Sequence, residues 1–73
     1  MKLPLDIEIT LNGQSKTIQE GTTILDVLKG LELLPERVAV EYNLQILKKD
    51  QWSLARLRDG DRLEIVQFVG GGS

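Results

Sequence analysis

The chain has 73 residues, 41% of them hydrophobic and 27% charged, the composition of one globular domain rather than of a disordered or membrane-spanning segment. Zero Cys and zero His exclude thiol nucleophiles, disulfides, imidazole bases and the usual zinc ligands. Nine Lys and Arg against eleven Asp and Glu give a net charge of -2, and the basic residues are scattered without aromatic interleaving, so nucleic acid is not an expected partner.

A domain of this size buries only about 60% of the surface its unfolded chain exposes, which leaves little area for a walled cleft. No enzyme active site, metal or cofactor of its own is expected. Met1-Lys2-Leu3-Pro4 leads into alternating polar residues, with neither the apolar core of a signal peptide nor a membrane span. The cytoplasm is the expected location. Lys48-Lys49 is followed at once by Asp50 and reads as a solvated turn.

Leu5-Asp6-Ile7-Glu8-Ile9-Thr10-Leu11 alternates apolar and polar residues, predicting a half-buried strand. Asn12-Gly13 tolerates the positive φ angles of a tight hairpin, so Lys16 to Gln19 returns antiparallel, with Ile18 as its one large apolar residue, as suits an edge. Gly21-Thr22-Thr23 then breaks the strand. A Thr hydroxyl there caps a helix whose positive end Asp26 favours, and Ile24, Leu28 and Leu31 form its buried stripe, flanked by Leu25 and Val27. Gly30 or the stretch before Pro35 ends the helix.

Val38-Ala39-Val40-Glu41-Tyr42 alternates again, and Leu44 to Leu47 pairs with it after a bend at Asn43. Asp50 to Leu57 is irregular or weakly helical, and its Trp52, like Tyr42, reads as a core residue rather than a ligand stacker. Asp59-Gly60-Asp61 is a turn, and Arg62 to Val69 forms the last strand. Hairpin, helix and further strands in that order predict an α+β fold of the ubiquitin-like β-grasp type, a mixed sheet of four to five strands with one main helix on one face. Residues 1–69 make this domain, and 70–73 a flexible glycine-rich tail.

Gly21-Thr22-Thr23 before an apolar helix, Val38-Ala39-Val40 into Tyr42-Asn43, Trp52, and the run from Asp59-Gly60-Asp61 through Phe68-Val69 to Gly70-Gly71-Gly72 together resemble the ThiS family, the sulfur carriers of the thiamin pathway. The resemblance implies that the chain is a protein co-substrate and not an enzyme. Gly72 is then the reacting position, with Gly71 and Gly70 threading into partners' active sites. It implies three partners. A ubiquitin-activating-type adenylating enzyme of the ThiF kind uses ATP to adenylate the carboxyl, a sulfur donor protein supports conversion to a thiocarboxylate, and a ThiG-like thiazole synthase receives the sulfur. The small subunit of molybdopterin synthase uses the same kind of glycine terminus and is the nearest alternative.

Such a tail suits the chemistry. A terminal carboxyl, with an ordinary pKa of roughly 3.3 to 3.7, is ionised at neutral pH and attacks phosphorus without a general base. Three extended glycines carry it roughly 10 Å beyond the folded body. Ser73, however, converts the Gly72 carboxylate into an amide, which is not adenylated. The carrier reading therefore requires a form ending at Gly72, whether Ser73 is removed by a protease or is foreign to the chain. A chain that keeps Ser73 fits a noncovalent ubiquitin-like interaction module, and Gly-Gly-Gly-Ser is also the composition of an artificial linker.

Along the last strand Leu63, Ile65, Gln67 and Val69 share one side and Glu64, Val66 and Phe68 the other. The Leu63 and Ile65 side is expected to meet the helix, leaving Val66 and Phe68 as a partner-binding patch beside the tail. The alternative is that sheet twist, the Trp52 segment or a second copy covers those two residues.

Overall fold

A computed structural model describes residues 4–68. Gly70, Gly71, Gly72 and Ser73, the positions on which the reactive tail was expected, lie outside the described residues, as does Val69. Six elements follow the expected order: β1 (Asp6–Leu11), β2 (Gln14–Gln19), α1 (Ile24–Gly30), β3 (Val38–Tyr42), β4 (Gln45–Leu47) and β5 (Arg62–Gln67), with single 3-10 turns at Pro35–Arg37 and Lys49–Gln51. The five strands form one mixed sheet in the order β2-β1-β5-β3-β4. The chain's last strand therefore lies in the middle, parallel to β1 and antiparallel to β3.

Both hairpins turn on two residues of positive φ, the geometry whose twist matches that of the strands it joins. Asn12 (49°) and Gly13 (83°) connect β1 to β2, and Asn43 (50°) and Leu44 (72°) connect β3 to β4. Leu44 thus belongs to the turn, and the strand expected from it begins at Gln45. Its side chain stands in solvent.

Helix α1 is short, and its ends are satisfied from outside. The first N–H groups of a helix lack intrahelical acceptors. Here Ile24 donates to the Ala55 carbonyl (3.1 Å) and Leu25 to that of Trp52 (3.1 Å). Asp26 N–H donates to Thr23 Oγ1 and Thr23 N–H to Asp26 Oδ2, each at 3.1 Å, closing a reciprocal capping box. The irregular segment after the second 3-10 turn is thereby held to the helix start.

At the other end, Glu32 N–H bonds the Lys29 carbonyl and Leu33 N–H that of Leu28, the pattern of a Schellman turn. It places Glu32, at φ 59°, in the left-handed region. The buried stripe is consequently Ile24, Val27 and Leu28, while Leu31, expected on it, is the C-cap residue and is exposed. The helix ends at Gly30, one residue before Leu31, whose side chain stays exposed.

That stripe packs on one sheet face with Ile7, Ile9, Val38, Val40, Leu63 and Ile65, and with Trp52 and Leu57 from the connecting segment. Burying each such side chain contributes about 1.5–3 kcal/mol. Trp52 Nε1–H donates to the Leu47 carbonyl (3.0 Å), so the indole's polar atom enters the interior paired.

Removing the cap in Thr23→Ala is expected to destabilise the domain by about 1 kcal/mol, read from urea unfolding midpoints. The hydrogen bond from the Thr23 backbone is the main cause holding the Asp26 carboxyl below its ordinary 3.8. Because the folded value is the lower one, Asp26 contributes its stabilisation in full above the unfolded pKa and loses it as pH falls through the depressed folded value. Asp26→Asn is therefore expected to be the less stable protein at neutral pH, with the difference closing in acid.

Candidate functional site

Strand β5 carries the described chain to Phe68, the base of the glycine run. Its placement rests on Asn12. The parallel ladder with β1 runs from Thr10 N–H to the Asp61 carbonyl (2.9 Å) and from Asn12 N–H to that of Leu63 (2.9 Å). There β1 turns away into its hairpin. The Asn12 side chain takes over, Nδ2–H donating to the Ile65 carbonyl (3.4 Å) and Oδ1 accepting from Ile65 N–H (2.7 Å). A side-chain amide has the donor and acceptor of a peptide group, so it extends the ladder by one step. On the other flank, Phe68 N–H donates to the Arg37 carbonyl (2.7 Å).

The start of β5 is fixed by Asp61. Its carboxylate accepts from Tyr42 Oη (2.6 Å), Asn43 Nδ2 (3.2 Å) and Arg58 N–H (2.8 Å). Asn43 in turn accepts from Arg62 N–H at 2.8 Å. Burial, then the hydrogen bond to Asp61, pushes the Tyr42 hydroxyl up to about 12. Tyr42 thus has a structural role, consistent with its sequence reading.

Leu63 and Ile65 are buried against the helix side as expected, whereas Val66 and Phe68 are 59% and 54% exposed. Among the described residues, neither twist nor the Trp52 segment covers them, since Trp52 lies in the core on the opposite face. Val66 stands opposite Ala39 in the β3–β5 register, and Glu64 opposite Glu41. Ile46, opposite Glu41 on β4, is 72% exposed. Asn12, Ala39, Glu41, Ile46, Glu64 and Val66 share a shallow depression of about 330 Å³ on this open face.

The Glu41–Glu64 pair and the clamp by Asn12 were not evident from sequence. Alternation puts both glutamates on the outer face, but only the cross-strand register makes them neighbours. Their hydrogen bond is the main cause raising the Glu41 carboxyl above its ordinary 4.5, with burial and the Glu64 charge adding to it and Arg62 opposing. Among the described residues no acidic group combines with others into a metal-binding cluster, and no helix is long and apolar enough to cross a membrane.

The model of the ThiS family matches residues 9–72. The chain belongs to the ThiS family. It is 40% identical over 65 residues to the sulfur carrier protein ThiS of Bacillus subtilis, covering 88% of this chain and 98% of that one. A crystal structure of the thiamine biosynthesis protein ThiS from Geobacter metallireducens superposes with a TM-score of 0.77 at 30% identity, over 90% of this chain and all of that one. The sheet and helix are accordingly those of the ubiquitin-like β-grasp fold. The chain is also 38% identical over 66 residues to a thiazole synthase of Magnetococcus marinus, spanning 90% of its own length but only 20% of that protein. The ThiS-family match ends on Gly72, leaving Ser73 beyond it.

Asn12→Ala is expected to destabilise the domain by about 1–3 kcal/mol, since it leaves the Ile65 amide and carbonyl without their partner. Denaturant unfolding checks this, and an unchanged midpoint contradicts the role given to Asn12.

Proposed function

We propose that this chain is a sulfur carrier of thiazole formation in thiamin biosynthesis, acting in the cytoplasm as a protein co-substrate. A form ending at Gly72 presents its carboxylate to an adenylating enzyme of the ubiquitin-activating type. One carboxylate oxygen bonds to the α-phosphorus of ATP, and pyrophosphate leaves. Sulfide-level sulfur supplied by a donor protein then attacks the acyl carbon, the bond to AMP breaks, and a Gly72 thiocarboxylate results. Its sulfur passes to thiazole synthase.

The observation that carries this reading is membership of the ThiS family through a match that reaches Gly72. The name of the Bacillus subtilis relative, a sulfur carrier protein, supports it, and the thiazole synthase of Magnetococcus marinus, a fifth of which resembles this chain, supports the choice of acceptor. On the open face the described carboxylates Glu41 and Glu64 line a shallow depression rather than a walled cleft. The division of labour follows from that: Gly70, Gly71 and Gly72 enter the partner, and the body grips it.

Each backbone residue fixed on docking costs about 1–2 kcal/mol of conformational entropy, which contacts elsewhere must offset. Val66 and Phe68 supply those contacts, being exposed, apolar and adjacent to the tail. Ser73 favours the second reading, a noncovalent ubiquitin-like module, for any form of the chain in which it persists.

A chain ending at Gly72, given a ThiF-type adenylating enzyme and ATP, is expected to drive pyrophosphate release, whereas the chain ending at Ser73 drives none. Mass spectrometry after sulfur loading then shows one oxygen replaced by sulfur. Absence of pyrophosphate release with the correctly folded Gly72-ended chain removes the carrier reading. Phe68→Ala is expected to raise the KM for the chain severalfold while leaving unfolding stability within about 0.5 kcal/mol, as for an exposed residue.

A further inference from the structure

On the open face, β4, β3 and β5 present a row of Ile46, Glu41 and Glu64, and the next row toward the tail is Ala39 and Val66. Like charges directly opposite one another destabilise an antiparallel pair. Burial in the fold does not explain this one, for both glutamates are only half-buried and the interior lies on the other side of the sheet. The charged groups facing Glu41 are Glu64 and Arg62 of β5, and the facing residue of β4 is the apolar Ile46. The pair thus has Arg62 on one side and the exposed apolar Ile46 and Val66 on the others, continuous with Phe68 just past the end of β5.

We propose that the Glu41–Glu64 pair receives a lysine or arginine side chain of thiazole synthase, whose surrounding apolar surface covers Ile46 and Val66. This rests on the carrier reading for the identity of the partner and extends it to how the partner is recognised. Charge complementarity selects the occupant. A cation between two carboxylates relieves their repulsion, whereas a second copy of this chain stacked on the same face brings four carboxylates together. Thiazole synthase is favoured because a protein bearing that name carries, over 20% of its length, a segment 38% identical to this chain.

The raised Glu41 carboxyl adds a signature. It holds its proton to higher pH in the free chain than an ordinary glutamate does, and a docked cation favours the ionised form. Docking therefore releases a proton, and affinity rises with pH through the range in which free Glu41 titrates.

The test is calorimetric titration of purified thiazole synthase with the Gly72-ended chain, in two buffers of different ionisation enthalpy. Wild type is expected to bind with proton release at pH values where free Glu41 titrates, and to weaken as pH falls through that range. Glu41→Gln with Glu64→Gln is expected to fold with an unchanged or higher melting temperature, to bind about tenfold more weakly at neutral pH, and to lose both the proton release and the pH dependence. Glu64→Lys is expected to weaken binding further. Equal affinity of the double glutamine variant and wild type overturns the inference, as does failure of wild type to bind. So does a dimer of the chain whose formation buries this face. Pyrophosphate release by the adenylating enzyme is a separate readout, so loss of the carrier reading and loss of this docking site are distinguishable.

Discussion

The structure depends on one placement: β5, the last strand in the chain, lies between β1 and β3. Parallel neighbours cannot be joined by a tight turn, and here most of the chain is the connection between β1 and β5. Closing so long a loop carries an entropic cost that local hydrogen bonds do not repay. It is offset where Leu63 and Ile65 meet Ile9, Leu28 and Val40 in the core, and where the Asn12 amide continues a ladder that the β1 backbone has left. Once β5 is fixed on both flanks, the position of Phe68 is fixed as well.

That arrangement separates two tasks. The buried face of the sheet, with α1 and the Trp52 segment, holds the fold together, and none of its side chains is available for chemistry. The open face keeps Ile46, Val66 and Phe68 in solvent. On the proposed carrier reading the partner grips a surface, and the exposed Val66 and Phe68 lie just before the glycine run in the chain. Chemistry at a terminal carboxylate suits a chain with no His or Cys, because the group is already ionised and the nucleotide can belong to another protein.

Much of this was legible in the residues. Strict alternation through Ile7 and Ile9, and again through Leu63 and Ile65, marks the inner face and by default assigns Val66 and Phe68 to the outer one. Asn12-Gly13 and Thr23 with Asp26 announce their turn and cap because their side chains favour those backbone states. The rest depends on tertiary context. Gly30 marks the helix end in the sequence, and α1 does stop there, but Glu32 takes the left-handed position that glycine usually fills, so nothing local signals the turn that removes Leu31 from the buried stripe. Leu44 occupies a turn position in the same way. Asn12 reads as a turn former, and its second role, bonding Ile65 across 53 residues, exists only once β5 has been inserted. The meeting of Glu41 and Glu64 is likewise a matter of register, which no local pattern encodes.

Amide hydrogen exchange tests most directly the claim that β5 is a fixed base for the tail. Bonds that open only with the whole domain exchange at the rate of global unfolding. The account predicts that the Ile65 amide, bonded to a side chain rather than to a strand, belongs to that slowest class along with Asn12. Exchange of Ile65 by local opening, at rates typical of fraying strand ends, contradicts it.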